Sequence, residues 1–164
     1  MSRYHSPENL REFVIKINRN AKMLKGGRRF SFSAYVIVGD GEGTVGIGRG
    51  KAREVPMAVS KAVVNAKKRL IQVPLVEGGT IPHRVRAKYS SSSVVMVPAR
   101  PGTGVIACAT LRALCEAAGI HNILTKCYDS TNPINLMKAG FSALLELRSK
   151  EEVERLRGVS LKDS

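Results

Sequence analysis

Tryptophan is absent from this 164-residue chain, and aromatic residues make up only 5% of it. A surface that stacks unpaired bases on successive rings is therefore not expected, and any nucleic-acid partner would be met through phosphate and helix shape instead. Cysteine is scarce as well. Cys108, Cys115 and Cys127 are odd in number and lack C-x-x-C spacing, so they support neither a disulfide framework nor a zinc site and read as small buried thiols in a reducing compartment. MSRYHSPENL has no apolar core of the signal-peptide kind, and Arg112 interrupts the longest apolar stretch. No membrane partner and an intracellular location are expected.

Acidic residues are the next shortage. There are 13 Asp plus Glu against 27 Lys plus Arg, a net charge of +14. Such an excess destabilises a compact chain by self-repulsion and is the footprint of a nucleic-acid binder. Residues 1–72 hold 15 basic and 5 acidic residues, residues 73–164 hold 12 and 8, so the first part carries the main electrostatic surface. Lys16, Arg19, Lys22, Lys25, Arg28 and Arg29 follow one another without an intervening acid. At 43% hydrophobic residues the chain can bury a core. Its length fits one domain or two small ones, with a boundary marked by Pro74, Gly78 and Gly79.

The pattern of elements is α+β. Ser6 and Pro7 suggest a short helical turn, and Phe13, Ile15 and Ile17 alternate as in a strand ending near Lys25. Gly26 and Gly27 make a hairpin connection into Phe30 to Val38, and Gly39-Asp40-Gly41 turns into a strand from Thr44 to Ile47. A helix follows with Pro56 in its first turn. Val59, Ala62, Val63, Ala66 and Leu70 form its apolar stripe, with Lys61 and Lys68 on the opposite face. Beyond the boundary, Ile81 to Tyr89 and Val94 to Val97 read as strands. PGTG, Pro101 to Gly104, then opens an apolar helix from Val105 to Ala118, capped by Gly119. Ile123 to Thr125 is a short strand. Asn132 and Pro133 start a helix with Ile134, Met137, Phe141 and Leu144 on one face, and Ser149 with Glu152 forms the capping box of a last helix ending at Gly158.

Glycine motifs raise an enzyme reading. Gly41, Gly43 and Gly46 match G-x-G-x-x-G, but strand-like TVGIG follows the turn where a dinucleotide site needs a helix. Gly50-Lys51-Ala52 is similar to the end of a Walker loop, yet Val45 stands in place of its first glycine and Ala52 has no hydroxyl for magnesium. These glycines read instead as positions where a backbone approaches a partner closely. PGTG at a helix N-terminus would attract anions, which makes a small-molecule phosphotransferase the rival function. Catalytic partners for it are scarce: His5, His83 and His121 belong to no recognisable motif and read as loop or strand-end residues.

KGGRRFSFSAYVIVGDGEGTVGIGRGKAREVP, followed by PGTGV, AAGIHNILTK and STNPIN, resembles the bacterial-type family of small-subunit ribosomal protein five, from about residue 12 to about residue 147. The resemblance implies a structural constituent of the ribosome, not an enzyme, with no cofactor. It implies a double-stranded-RNA-binding-like domain over residues 1–73 and, over 74–164, an α+β domain with a left-handed βαβ crossover and a short C-terminal helix. Kinases of small molecules share that second fold. The implied partners are small-subunit ribosomal RNA, small-subunit proteins four and eight, and messenger RNA where it enters the subunit, with effects on decoding accuracy. The KGGR hairpin, Lys25, Gly26, Gly27 and Arg28, would reach into ribosomal RNA, and the GKAREVP block would face it. Together with the charge pattern this gives an RNA-binding set of Arg19, Lys22, Lys25, Gly26, Gly27, Arg28, Arg29, Arg49, Lys51, Arg53, Lys61 and Lys68. The contact with protein four would involve Arg100, Pro101, Gly102, Thr103, Gly104 and Arg112. The sequence departs from the family pattern at Arg100-Pro101 and at Cys108 and Ala109, where glycines are common in the family.

Overall fold

The computed structural model describes residues 9–160 and falls into two compact units. The first runs to Gln72 and also takes in Ala113–Gly119; Val73–Arg112 and the chain from Ile120 onward make the second. A segment far along the chain thus completes the first unit, which no local signal around Pro74 or Gly78 announces. The helical turn expected at Ser6 and Pro7 lies outside the described residues.

The first unit is a four-stranded antiparallel sheet in the order β1-β2-β3-β4, with β1 Arg11–Leu24, β2 Gly27–Gly39, β3 Thr44–Ala52 and β4 Leu70–Gln72. The helix α1, Val55–Lys67, covers one face. Alternation along β2 sends Ala34, Val36 and Val38 to that face, where they close on Ala58, Ala62, Val63 and Ala66, with Leu10 and Phe32 at the margin. Each fully buried valine there contributes roughly 1.5–3 kcal/mol. α1 begins with Pro56 in its first turn and a Glu54 carbonyl accepting from Ala58 N–H, and it buries a stripe spaced four residues apart. Leu70, expected on that helical stripe, belongs to β4. Arg69 N–H closes a tight turn on Ala66 O, after which Leu70 pairs with Gly46.

β3 runs to Ala52, longer than its hydrophobic residues suggested, and presents Gly46, Gly48 and Gly50 to α1. A Cβ on Gly48 would overlap the Ala62 carbonyl, one on Gly50 the Ala58 carbonyl, and one on Gly46 would stand 2.6 Å from the Ala66 carbonyl. The close approach expected of these glycines is therefore made to the protein's own helix.

The second unit holds a four-stranded sheet in the order β5-β6-β8-β7: β5 Val85–Tyr89, β6 Ser92–Pro98, β7 Val105–Ile106 and β8 Ile123–Asp129. β7 and β8 are parallel and the other pairs antiparallel. α3, Pro133–Leu145, packs on β5 and β6, and α4, Lys150–Arg157, follows. The Asn132 side chain accepts from Ile134 N–H to start α3, Ser149 does the same for Glu152 N–H in α4, and Gly158 ends α4 at φ 65°. Met137 and Leu144 are buried as expected, whereas Ile134 and Phe141 are half-buried and the stripe is filled by Leu136, Ala139, Gly140 and Ala143. Ile81 lies outside β5 but is buried. One expectation fails outright. PGTG does not open a helix: β7 follows it, and α2 starts only at Ala109 and runs to Ala118. Pairing of Val105 with Ile123 and Ile106 with Leu124 outcompetes helix here, because β-branched residues lose less freedom on a sheet edge.

Gly48→Ala should therefore destabilise the chain by about 1–3 kcal/mol or more through overpacking, read as a lower urea midpoint. Gly26→Ala, with nothing within 4 Å of the added Cβ, should stay within about 0.5 kcal/mol of the parent.

Candidate nucleic-acid interface

The β1–β2 hairpin outruns the rest of its sheet. β3 ends where Ala52 pairs with Phe32, so the ribbon from Gly27 to Ser31 and its β1 partners continues alone to a two-residue tip, Lys25-Gly26. At about 3.3 Å per residue this overhang is roughly 16 Å long. Of the two tip glycines only Gly27 takes a positive φ, 135°.

Register decides which cations share a face. Lys22 stands directly opposite Arg29, Tyr35 lies between Lys16 and Arg49, and Ser33 between Asn18 and Lys51. Like charges opposite one another on a sheet are destabilising, so the Lys22–Arg29 pair costs stability unless an anion lies against it. Arg28 points to the other face beside Met23. Arg19 lies on the Phe30 ring, 3.9 Å from its centroid, and Arg49 sits 5.6 Å from that of Tyr35. Each stacked guanidinium gains about 0.5–1 kcal/mol at an exposed site and keeps donors turned outward.

Where β3 stops and α1 starts, the overhang leaves a groove of about 480 Å³, lined by Lys22, Arg29, Lys51, Arg53 and Lys61 together with the apolar Phe30 and Met57. None of the residues lining it is acidic. A second groove of about 460 Å³ between β3 and the outer side of α1 shares Lys51 and Lys61. The Asn65 amide fixes its wall by donating to Arg49 O at 2.8 Å. Of the expected RNA-binding set, these five cations are brought together. Lys25 and Gly26 form the tip with Gly27 paired next to it, Arg19 lies on the Phe30 ring, Arg49 is tied to the second groove through Asn65, Arg28 points to the other face, and Lys68 stands past the end of α1, away from the groove. Phe30 and Met57 were missed; their place in the lining follows from the overhang, which no residue spacing reveals.

What the glycine loops already hold agrees with setting the anion-loop readings aside. Asp40 Oδ1 accepts from Glu42 N–H at 2.7 Å and Thr44 N–H at 2.9 Å, while Gly41 and Gly43 donate at 3.0 Å each to Ala117 O and Ala118 O. These glycines thus meet the partly negative carbonyl end of α2, which takes the acceptor place a phosphate would otherwise fill. Burial alone would raise the Asp40 pKa, but hydrogen bonds from the Thr44 side chain and from the Glu42 and Thr44 backbone outweigh it and hold the carboxyl below its ordinary value near 3.8.

In the PGTG loop, Gly102 (φ 92°) and Gly104 (φ 76°) do aim two N–H groups at one point. That point is the Asn122 Oδ1 atom, at 3.1 and 3.0 Å. The buried Asn122 also donates to Gly78 O at 2.7 Å. A side-chain amide occupies the cradle a phosphate would need. Arg100, Pro101, Gly102 and Thr103 are exposed around it, Gly104 is half-buried, and Arg112 is exposed on α2, separated from the loop by β7. No cluster of three His, Cys, Asp or Glu that could hold a metal exists among the described residues, and no helix among them is long and apolar enough to cross a membrane.

Two family models match the chain: ribosomal protein S5, N-terminal domain, over residues 10–74, and ribosomal protein S5, C-terminal domain, over residues 87–157. Among similar proteins, the small ribosomal subunit protein uS5 of Syntrophobacter fumaroxidans is 56% identical over 145 residues, covering 88% of this chain and 87% of its own. The protein of the same name from Rhodopirellula baltica is 53% identical over 150 residues, 92% and 84% of the two chains. That of Alcanivorax borkumensis is 49% identical over 161 residues, 98% and 96%.

Asn122→Ala should leave the Gly102 and Gly104 N–H groups without their acceptor and cost about 2–3 kcal/mol in urea unfolding, with faster amide exchange at those two residues. For Asp40 the sign is set by its lowered pKa: the stability it contributes is present above the unfolded-state value and is lost as pH falls through the folded one. Between about pH 5 and pH 3 the parent should lose stability relative to Asp40→Asn, measured as converging urea midpoints.

Proposed function

The chain belongs to the ribosomal protein S5 family, and from that premise we propose that it binds small-subunit ribosomal RNA through the groove and hairpin overhang of its first unit. A structural, non-enzymatic role in the small ribosomal subunit follows from the relatives' shared name. The observation that carries the finer reading is the groove itself, lined by five cations and no acid, with Phe30 and Met57 among them. Such a surface suits a phosphate backbone, which supplies a row of anions and demands no base-specific donor. Stacked Arg19 and Arg49 extend it, and the tip at Lys25 to Gly27 can enter a groove of the RNA that the body of the sheet cannot.

The second unit fits protein neighbours better. Its PGTG loop is locked by Asn122 and offers a fixed, exposed turn. We assign to this surface the contact with small-subunit protein four. A further contact with protein eight, a place beside the incoming messenger RNA and an influence on decoding accuracy complete the reading.

A salt titration of binding to a small-subunit RNA fragment tests the groove. With five phosphates neutralised, log affinity should fall with log salt at a slope of roughly −4.5, and Lys51→Ala should reduce that slope by about 1. Lys68→Ala should leave it unchanged. A flat slope, or equal losses for both variants, would reject the interface.

A further inference from the structure

Cys108 and Cys127 stand apart from everything assigned so far. Their sulfurs are 3.7 Å apart. Cys108 is exposed in the short link between β7 and α2, and its carbonyl accepts Arg112 N–H in the first turn of that helix. Cys127 is half-buried on β8. The third thiol, Cys115, is fully buried. No third metal ligand joins these two sulfurs among the described residues, so they do not make a zinc site there. They do make a pair whose separation needs to close by only about 1.7 Å to reach a disulfide bond.

We propose that Cys108 and Cys127 are an oxidation site, converted by peroxide to a reversible disulfide that closes the β7–α2–β8 crossover into a covalent loop. Exposure gives the order of events. Cys108 meets a dissolved oxidant first, whereas Cys127 is held protonated, its pKa pushed up to about 11 by burial and then by its hydrogen bond with Cys108. The Cys108 thiolate attacks one peroxide oxygen and the O–O bond breaks. The departing hydroxide takes up a proton to become water, and Cys108 is left as a sulfenic acid. Cys127 then attacks the Cys108 sulfur as its own proton leaves. The S–O bond breaks and a second water departs. In total two thiols lose two electrons and two protons, and one hydrogen peroxide is reduced to two waters. The link at Ala107 and Cys108, outside both helix and strand, supplies the movement, since Ile106 before it is pinned by β8 pairing and by the Thr125 hydroxyl donating to its carbonyl at 3.0 Å.

The loop so closed holds the whole of α2, so oxidation ties the start of that helix to β8. The test is treatment of the purified full chain with a small excess of hydrogen peroxide. The titratable thiols, counted after unfolding, should fall from three to one. Intact mass should show the loss of two hydrogens, peptide mapping should join Cys108 to Cys127, and dithiothreitol should restore all three thiols. Cys115→Ser should leave the response unchanged. In Cys127→Ser, Cys108 should proceed to sulfinic acid instead. If Cys108 of the parent chain is driven to sulfinic acid or cross-links two chains while Cys127 stays reduced, the proposal is wrong. A bridge involving Cys115 would overturn it equally.

Discussion

A helix can rest its backbone on a strand only where the strand has no side chains to keep it away, and the first unit is organised around such a contact. Gly50, Gly48 and Gly46 step along β3 as Ala58, Ala62 and Ala66 step along α1 in the opposite sense. Two strand residues advance about 6.6 Å and four helix residues about 6.0 Å, so the two rows stay nearly in phase for three contacts. The match places α1 low over the sheet. It also brings Met57 and Lys61, on the early turns of the helix, to the end of β3, where Lys51 and Arg53 complete the groove. The cationic surface is a consequence of this seating.

Much of this was legible in the residues. β2 followed from its run of β-branched and aromatic positions, α1 from Pro56 and its spacing, and the last helix from Ser149, Glu152 and Gly158, because each signal acts within a few residues. The hairpin cations were legible as a cluster. What stayed hidden depended on distant pairing. Lys22 opposite Arg29 is a matter of register, β7 forms only because β8 is there to receive it, and nothing near Lys68 indicated that it lies away from Lys61's groove. Asn122 gave no signal at all, since its three partners come from two loops about 20 and 44 positions earlier.

The two glycine loops show how a motif can be chemically right and functionally misleading. Both gather backbone N–H groups, as phosphate loops do. In one they receive the last carbonyls of α2 and the Asp40 carboxylate, in the other a single amide oxygen. Loops of this shape require an acceptor, and a protein that carries its own acceptor has no need of a ligand to keep them ordered. The family assignment agrees with this chemistry: a structural component gains from loops that are complete in themselves.

The inclusion of Ala113–Gly119 in the first unit also has a consequence in time. The turn at Gly41 and Gly43 receives its acceptors from Ala117 and Ala118, and the Gly39 backbone abuts Ala117. About 40 residues of the second unit lie between Gln72 and Ala113. At about 5–20 residues per second, the growing chain makes β1 through β4 and then waits roughly 2 to 8 s before those acceptors exist. During that interval the sheet and α1, which need only their own neighbourhood, can assemble, while this turn stays open to water. The N-terminal unit is therefore begun first and finished late, by a segment that is also the end of α2.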